Sequence, residues 1–268
     1  MIKVNNIQVS FQKENQPKLF GKERQRVLYD VSFQVNKGGC LGILGESGTG
    51  KSTLGKVMSG LLKPDSGSVI LDGQKQYQKM GGNQSGRRAL ISVVFQDYIS
   101  SVNPRFRVSQ IIDESLRVRE QKEGIKINHE QKILEYLEVV GLKEDHKDRF
   151  PHELSGGQLQ RVCIARAIAV NPQIILFDEA ISSLDAHTQV QIMELLQTIK
   201  KQFNLTYVFI THDLTAITYF CDTVLFLYGG RVVEQCPVKE IGQVKNPYSK
   251  KLLYSILLED AQSSEFSA

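Results

Sequence analysis

The sequence has no tryptophan, only 7 prolines in 268 residues, and 4 cysteines. Cys40, Cys163, Cys221 and Cys236 share no paired spacing, which argues against a zinc ribbon or a redox pair and reads as reduced thiols. No apolar run approaches the roughly 20 residues that a membrane-spanning helix requires; the longest, such as Thr223–Tyr228, are strand-sized. The start, Met1-Ile2-Lys3-Val4-Asn5, lacks the charged and apolar regions of a signal peptide. A membrane is therefore expected to be reached only through a partner. Charge of one sign is scarce too: 33 Lys and Arg stand against 29 Asp and Glu, a net charge of +4. That excess is too small to imply nucleic acid. The five histidines, His129, His146, His152, His187 and His212, show no metal-ligand spacing. No internal repeat is visible.

What remains is a globular composition, 41% hydrophobic and 23% charged, with a core large enough for one large or two small domains. Ile2–Phe11 alternates with Val4, Ile7, Val9 and Phe11 apolar and reads as a strand. The polar stretch from Gln12 to Arg26, with basic Lys18, Lys22, Arg24 and Arg26, reads as a solvated loop. Val31–Val35 and Cys40–Leu44 are further strands. A helix is expected from about Gly50 to Leu62, stopped by Lys63-Pro64-Asp65-Ser66-Gly67. Ser68–Leu71 is a strand closed by Asp72-Gly73, Gln74–Arg88 a surface loop or weak helix, and Leu90–Phe95 another strand. From Ser109 to Leu142 the period is helical, with Ile133, Leu137 and Val140 on one face and Gly141 as its stop. A further helix begins near Gly157 and breaks at Asn171-Pro172. Ile174–Phe177, Leu205–Ile210 and Thr223–Leu227 are buried strands, and Ala186–Phe203 is amphipathic with Val190, Met193, Leu196 and Ile199 in register. Strands alternating with helices indicate an α/β fold with a largely parallel sheet. Asp260–Ala268 is polar and is expected to be unstructured.

Three motifs carry chemistry. Gly45-Glu46-Ser47-Gly48-Thr49-Gly50-Lys51-Ser52, followed by Thr53, fits the phosphate-binding loop. Its glycines let backbone N–H groups converge on phosphate oxygens, and the next helix adds its positive end. Lys51 suits the β- and γ-phosphates, and the Ser52 hydroxyl suits Mg²⁺. An ordinary glycine-rich turn is the bland alternative; the strand before and the helix after supply the context it would lack. Second, Ile174–Phe177 ends in Asp178 and Glu179, which places carboxylates at the carboxyl edge of a sheet. Asp178 suits Mg²⁺, and Glu179 suits general-base work on an attacking water. Third, Leu154-Ser155-Gly156-Gly157-Gln158 precedes a helix that Ser155 could cap, leaving its first N–H groups to an anion.

The combination of that pentapeptide with a phosphate loop and an Asp-Glu strand end resembles the ATP-binding subunits of ABC transporters, from Met1 to about Ile256. The resemblance implies a P-loop NTPase (RecA-like) core with a small antiparallel β subdomain and a helical subdomain inserted at about 97–158. The cassette would fill residues 1–245, with a short tail over 246–268. It also implies ATP and Mg²⁺ as cofactors. Gln96 matches the glutamine that senses Mg²⁺ and the attacking water. Ser183-Leu184-Asp185 resembles the loop that communicates across the dimer, and His212 the histidine that contacts the γ-phosphate. Phe11 resembles the aromatic that stacks on adenine, with Phe20 and Tyr29 as rivals. A head-to-tail dimer follows, in which ATP on Lys51 of one subunit is covered by Ser155 and Gly157 of the other.

The segment from Gln96-Asp97-Tyr98 to Asn103-Pro104-Arg105, and Asn246-Pro247-Tyr248-Ser249-Lys250-Lys251-Leu252-Leu253 near the end, are similar to the peptide and nickel importer subfamily. Ala180 after Glu179, where proline is usual, with Arg161–Arg166, looks most like the second ATP-binding subunit of nickel importers. The resemblance thus implies import of nickel or a nickel complex, with oligopeptide or dipeptide uptake as the alternative. A non-transport ATPase of translation or DNA repair is a further reading, disfavoured by the single cassette and the lack of long insertions. The implied partners are a second, different ATP-binding subunit, two permeases and a solute-binding protein, at the cytoplasmic face of the membrane.

Overall fold

The structure, a computed structural model, describes residues 1–12, 23–77, 91–182 and 184–265, with side chains as far as Leu257. Part of the expected loop before Arg24, including Lys18 and Lys22, lies outside the described residues, as do Phe20, Leu90 and Ser183. The chain divides into two compact units, Met1–Gln78 with Phe209–Ala268, and Lys79–Val208.

In the first unit, β1 (Ile2–Gln12), β2 (Arg24–Val35), β4 (Ser66–Leu71) and β5 (Gln74–Lys75) form a sheet in the order β2-β1-β4-β5. Its pairs are antiparallel. The alternation in β1 is made consistent by an irregularity. Ile2 and Val4 sit at even positions and Ile7 and Val9 at odd ones, yet all four are buried. Asn6 takes φ 46 and the register shifts between Val4 and Ile7, so one extra residue returns the second apolar pair to the same face. The Asn6 N–H donates to Ser32 Oγ at 2.8 Å and holds the bulge. At the turn between β4 and β5, Asp72 (φ 47) and Gly73 (φ 83) have the paired positive φ values of a two-residue hairpin.

The same unit holds β3 (Cys40–Leu44), buried along its whole length, paired parallel to β9 (Thr223–Tyr228). β10 (Arg231–Pro237) returns antiparallel to β9. α1 spans Lys51–Met58, ending short of Leu62 because Gly60 at φ 82 turns the chain. α6 (Leu214–Phe220) and α7 (Pro247–Glu265) complete the unit. Three sequence readings are corrected here. Gln74 and Lys75, read as the start of a loop or weak helix, form β5, because the Asp72-Gly73 turn brings them back beside Leu71 and Ile70. Arg24 and Arg26 stand in β2 rather than in a loop: Arg24 donates to Asp65 Oδ1 and Ser10 Oγ, each at 2.7 Å, which fastens the start of the strand. Asp260–Glu265 continues α7 rather than being unstructured, since Glu259, Ala261 and Gln262 are good helix formers.

In the second unit, β6 (Ile91–Phe95) pairs parallel with β7 (Ile174–Asp178). Between them the chain is helical, with α2 (Val108–Glu123), α3 (His129–Val139) and α4 (Gly156–Ala169). The long helical period of the sequence is two helices, split at Gly124, whose φ of 67 ends α2. α5 (Ala186–Gln202) buries Ile192, Met193, Leu196 and Ile199, whereas Val190 is 50% exposed, so the buried stripe begins after it. β8 (Thr206–Ile210) crosses the division between the units.

Candidate nucleotide site

The phosphate loop leaves β3 at Leu44 and enters α1 at Lys51. Gly45 is required by contact: a Cβ there would lie 2.5 Å from the Leu227 carbonyl oxygen. Gly50 caps the helix at φ 102 with no side-chain acceptor over the first turn, a conformation that glycine alone adopts cheaply. Lys51 folds back over the loop and donates from Nζ to the carbonyls of Gly45 (2.5 Å) and Glu46 (3.0 Å). Thr49 Oγ1 donates to the same Glu46 carbonyl at 2.8 Å. These bonds hold the loop in a curl, with Ser52 exposed and Thr53 half-buried at the helix start. On its outer side, the Gly230 N–H donates to the Thr49 carbonyl at 3.1 Å.

His212 belongs to the same unit. The Thr211 N–H donates to the Ile43 carbonyl at 3.3 Å, so the end of β8 lies beside the strand that feeds the phosphate loop. Asp213 then caps α6, accepting from Thr215 N–H (2.7 Å) and Ala216 N–H (3.2 Å), which leaves His212 exposed between a buried threonine and a fixed helix start.

Phe11 lies near the end of β1, opposite Gln25, and is 43% exposed. Its rival Tyr29 is covered: the guanidinium carbons of Arg231 and Arg26 sit 4.7 and 5.5 Å from its ring centre.

The second unit gathers the carboxylates and α4, the helix that opens at the Leu154–Gln158 motif and is called the signature helix below. Phe95 and Asp178 are register partners at the ends of β6 and β7, so Gln96 and Glu179 leave the sheet at one edge. Glu179 takes φ 51, uncommon for a side-chain-bearing residue and of a kind that clusters at functional sites. Its carbonyl accepts from Ser182 Oγ at 3.0 Å.

At the start of α4, Ser155 Oγ accepts from the Gln158 N–H at 3.3 Å, and Gln158 Oε1 accepts from the Ser155 N–H at 3.0 Å. This is a reciprocal cap. Gly156 and Gly157 are closely approached: a Cβ would meet the Tyr98 hydroxyl or the Thr188 methyl, each at 2.7 Å, so a larger residue would need one of those side chains to move. Asp185 caps α5 by accepting from the Thr188 N–H at 3.0 Å, and that contact holds its carboxyl below the usual range.

One residue that the sequence did not single out is Gln160. It is buried (1% exposed) and donates from Nε2 to the Ala180 carbonyl at 2.9 Å, joining the signature helix to the residue after Glu179. An amide among the apolar positions of α4 was the available signal. Among the described residues no cluster of metal-ligating side chains occurs, and Cys40 Sγ and Cys221 Sγ lie 3.2 Å apart. No described helix is long and apolar enough to cross a membrane.

Comparison with known proteins accounts for this arrangement. The family model described as ABC transporter matches residues 28–182. The chain is 41% identical over 254 residues to the metal-staphylopine import system ATP-binding protein CntF of Staphylococcus aureus, covering 94% of this chain and 98% of that protein. It is 40% identical over 237 residues to the oligopeptide transport ATP-binding protein OppF of Bacillus subtilis, covering 86% and 76%. To the nickel import ATP-binding protein NikE of Rhodospirillum rubrum it is 38% identical over 231 residues, covering 86% and 83%. Among solved structures, the dimeric ATP-binding cassette MJ0796 in a post-hydrolysis state with ADP and Pi is similar at a TM-score of 0.74 and 30% identity, over 89% of this chain and 99% of that one. The chain belongs to the ABC transporter family, as an ATP-hydrolysing cassette of the peptide and nickel importer type.

Proposed function

We propose that this chain energises the import of nickel or a nickel complex. The observation that carries the reading is the match to the metal-staphylopine import protein, which extends over 94% of this chain and 98% of that relative. The oligopeptide relative is covered over only 76% of its length. Oligopeptide or dipeptide uptake is the second reading, favoured by an identity of 40% that nearly equals the first. The test is uptake of radioactive nickel and of a labelled dipeptide by cells with and without the gene. Loss of nickel uptake alone supports the first reading; loss of peptide uptake alone replaces it with the second.

In this function the backbone of Gly45–Ser52, with Lys51 and Thr53, binds the ATP phosphates, and Phe11 stacks on adenine. The Ser52 hydroxyl, the Gln96 side-chain carbonyl and the Asp178 carboxylate are hard oxygen donors, the set that suits Mg²⁺. Such an ion would neutralise phosphate charge. Glu179 takes the proton of the attacking water, and His212 senses the γ-phosphate. Ser155, Gly156, Gly157 and Gln158 cover ATP held by a second ATP-binding subunit, with Asp185 at the joint; that subunit is a different chain. Two permeases and a solute-binding protein complete the importer, and this chain sits on the cytoplasmic side of the membrane.

A further inference from the structure

The phosphate loop has an outer contact that none of its motif residues explains. The Glu46 N–H donates to the Tyr248 hydroxyl at 2.9 Å, from a helix 202 residues further along the chain. The peptide carbonyl of Glu46 is the hub of the loop, accepting from Lys51 Nζ and Thr49 Oγ1. The inner face of residue 46 is therefore set by the loop, and its outer face by the tail.

Tyr248 is itself held. Its ring packs on Tyr228 with centroids 4.2 Å apart, at the end of β9. Its N–H donates to Asn246 Oδ1 at 2.9 Å, which caps the start of α7. Glu234 on β10 accepts from the Lys245 and Asn246 N–H groups at 2.6 and 3.2 Å. Leu252, Leu253 and Ile256 are buried and anchor the rest of α7. The phosphate loop thus has an outer support as well as its internal bonds, and such support lowers the ordering cost of binding.

We infer that Tyr248 is a positioning residue for the phosphate loop, orienting from outside the Gly45–Glu46 peptide, whose carbonyl accepts from Lys51 Nζ, so that the loop is held curled for phosphate. The tail helix is thereby linked to nucleotide affinity. Burial pushes the Tyr248 hydroxyl up, against the lowering effect of the Glu46 N–H. It stays a neutral acceptor throughout the physiological range.

The test is Tyr248→Phe in the full chain, which keeps the ring on Tyr228 and removes only the acceptor. ATP and ADP affinity are read by displacement of trinitrophenyl-ATP, and hydrolysis by KM and kcat. One net hydrogen bond corresponds to roughly a fivefold effect. We expect Kd for both nucleotides and KM for ATP to rise by up to about that factor, with kcat changing less than KM. A Kd that stays at the wild-type value overturns the inference, and so does a fall in kcat and melting temperature with Kd unmoved. Should Tyr248→Phe not fold, Tyr228→Leu, which removes the support beneath the ring, is read in the same way. Unchanged Kd there is equally fatal.

Discussion

Phe95 and Asp178 face each other in the parallel register of β6 and β7, so the next residues, Gln96 and Glu179, emerge side by side from one sheet edge. Ligands of α/β proteins bind at such carboxyl edges. The left-handed φ of Glu179 re-aims the chain at this point.

Glu179→Gln keeps the size of the side chain and removes the base. Hydrolysis is expected to fall by about 100-fold or more, while ATP-dependent association with the partner cassette persists. Phosphate release and size-exclusion chromatography with ATP check the two halves. Turnover at the wild-type rate would remove Glu179 from the mechanism.

Lys51→Ala acts earlier. The Nζ that now donates to the Gly45 and Glu46 carbonyls is the loop's cation, and under the proposed function its removal takes away a charge-assisted contact to phosphate. Titration calorimetry is expected to show ATP affinity weaker by about 10-fold or more.

Gly230→Ala probes the outer wall of the loop. A Cβ there would lie 2.0 Å from the Val27 carbonyl oxygen, at φ 74. Because the Gly230 N–H also bonds Thr49, the strand must shift or the loop must lose a support. Urea unfolding is expected to show a loss of about 3 kcal/mol. A loss below about 0.5 kcal/mol, the ordinary range for surface changes, would show that the hairpin gives way freely.

His129 makes the helical region pH-sensitive. Its imidazole is raised first by the hydrogen bond to Asp113 and further by Glu120, whose Oε2 lies 3.2 Å from Nε2, against a lowering by burial. Asp113 also holds Arg117 at 2.7 Å. A histidine raised on folding stabilises fully below its unfolded value, near 6.5, and loses that contribution as pH rises through the folded value. The melting temperature of the wild type should therefore fall more than that of His129→Gln between about pH 6 and about pH 9. Parallel curves for the two proteins would exclude the effect.

Much of the cassette is legible in sequence because its chemistry is local. The phosphate loop needs glycine at fixed offsets and a cation at the helix start, so Gly45–Ser52 can be read without coordinates. The acidic strand end and the Ser155 cap are likewise encoded within a few residues. Where local pattern competes with pairing, reading fails. Arg24 and Arg26 look like loop residues until Asp65 and Ser10 are brought beside the strand. Val190 fits the helical stripe of α5, yet burial starts only at Ile192.

What the sequence by itself determined, then, is most of the order of strands and helices, β5, β10 and the break between α2 and α3 excepted, and the chemical groups placed at their ends. Apolar period and turn chemistry act between near neighbours. Only the tertiary structure decided that one bulge at Asn6 serves two apolar pairs, that Gln160 ties the signature helix to Ala180, that Cys40 meets Cys221, and that Tyr248 supports Glu46. The last two join residues 181 and 202 positions apart. No local preference encodes such a pair. It forms only when burial of the elements between has already fixed where the two ends lie.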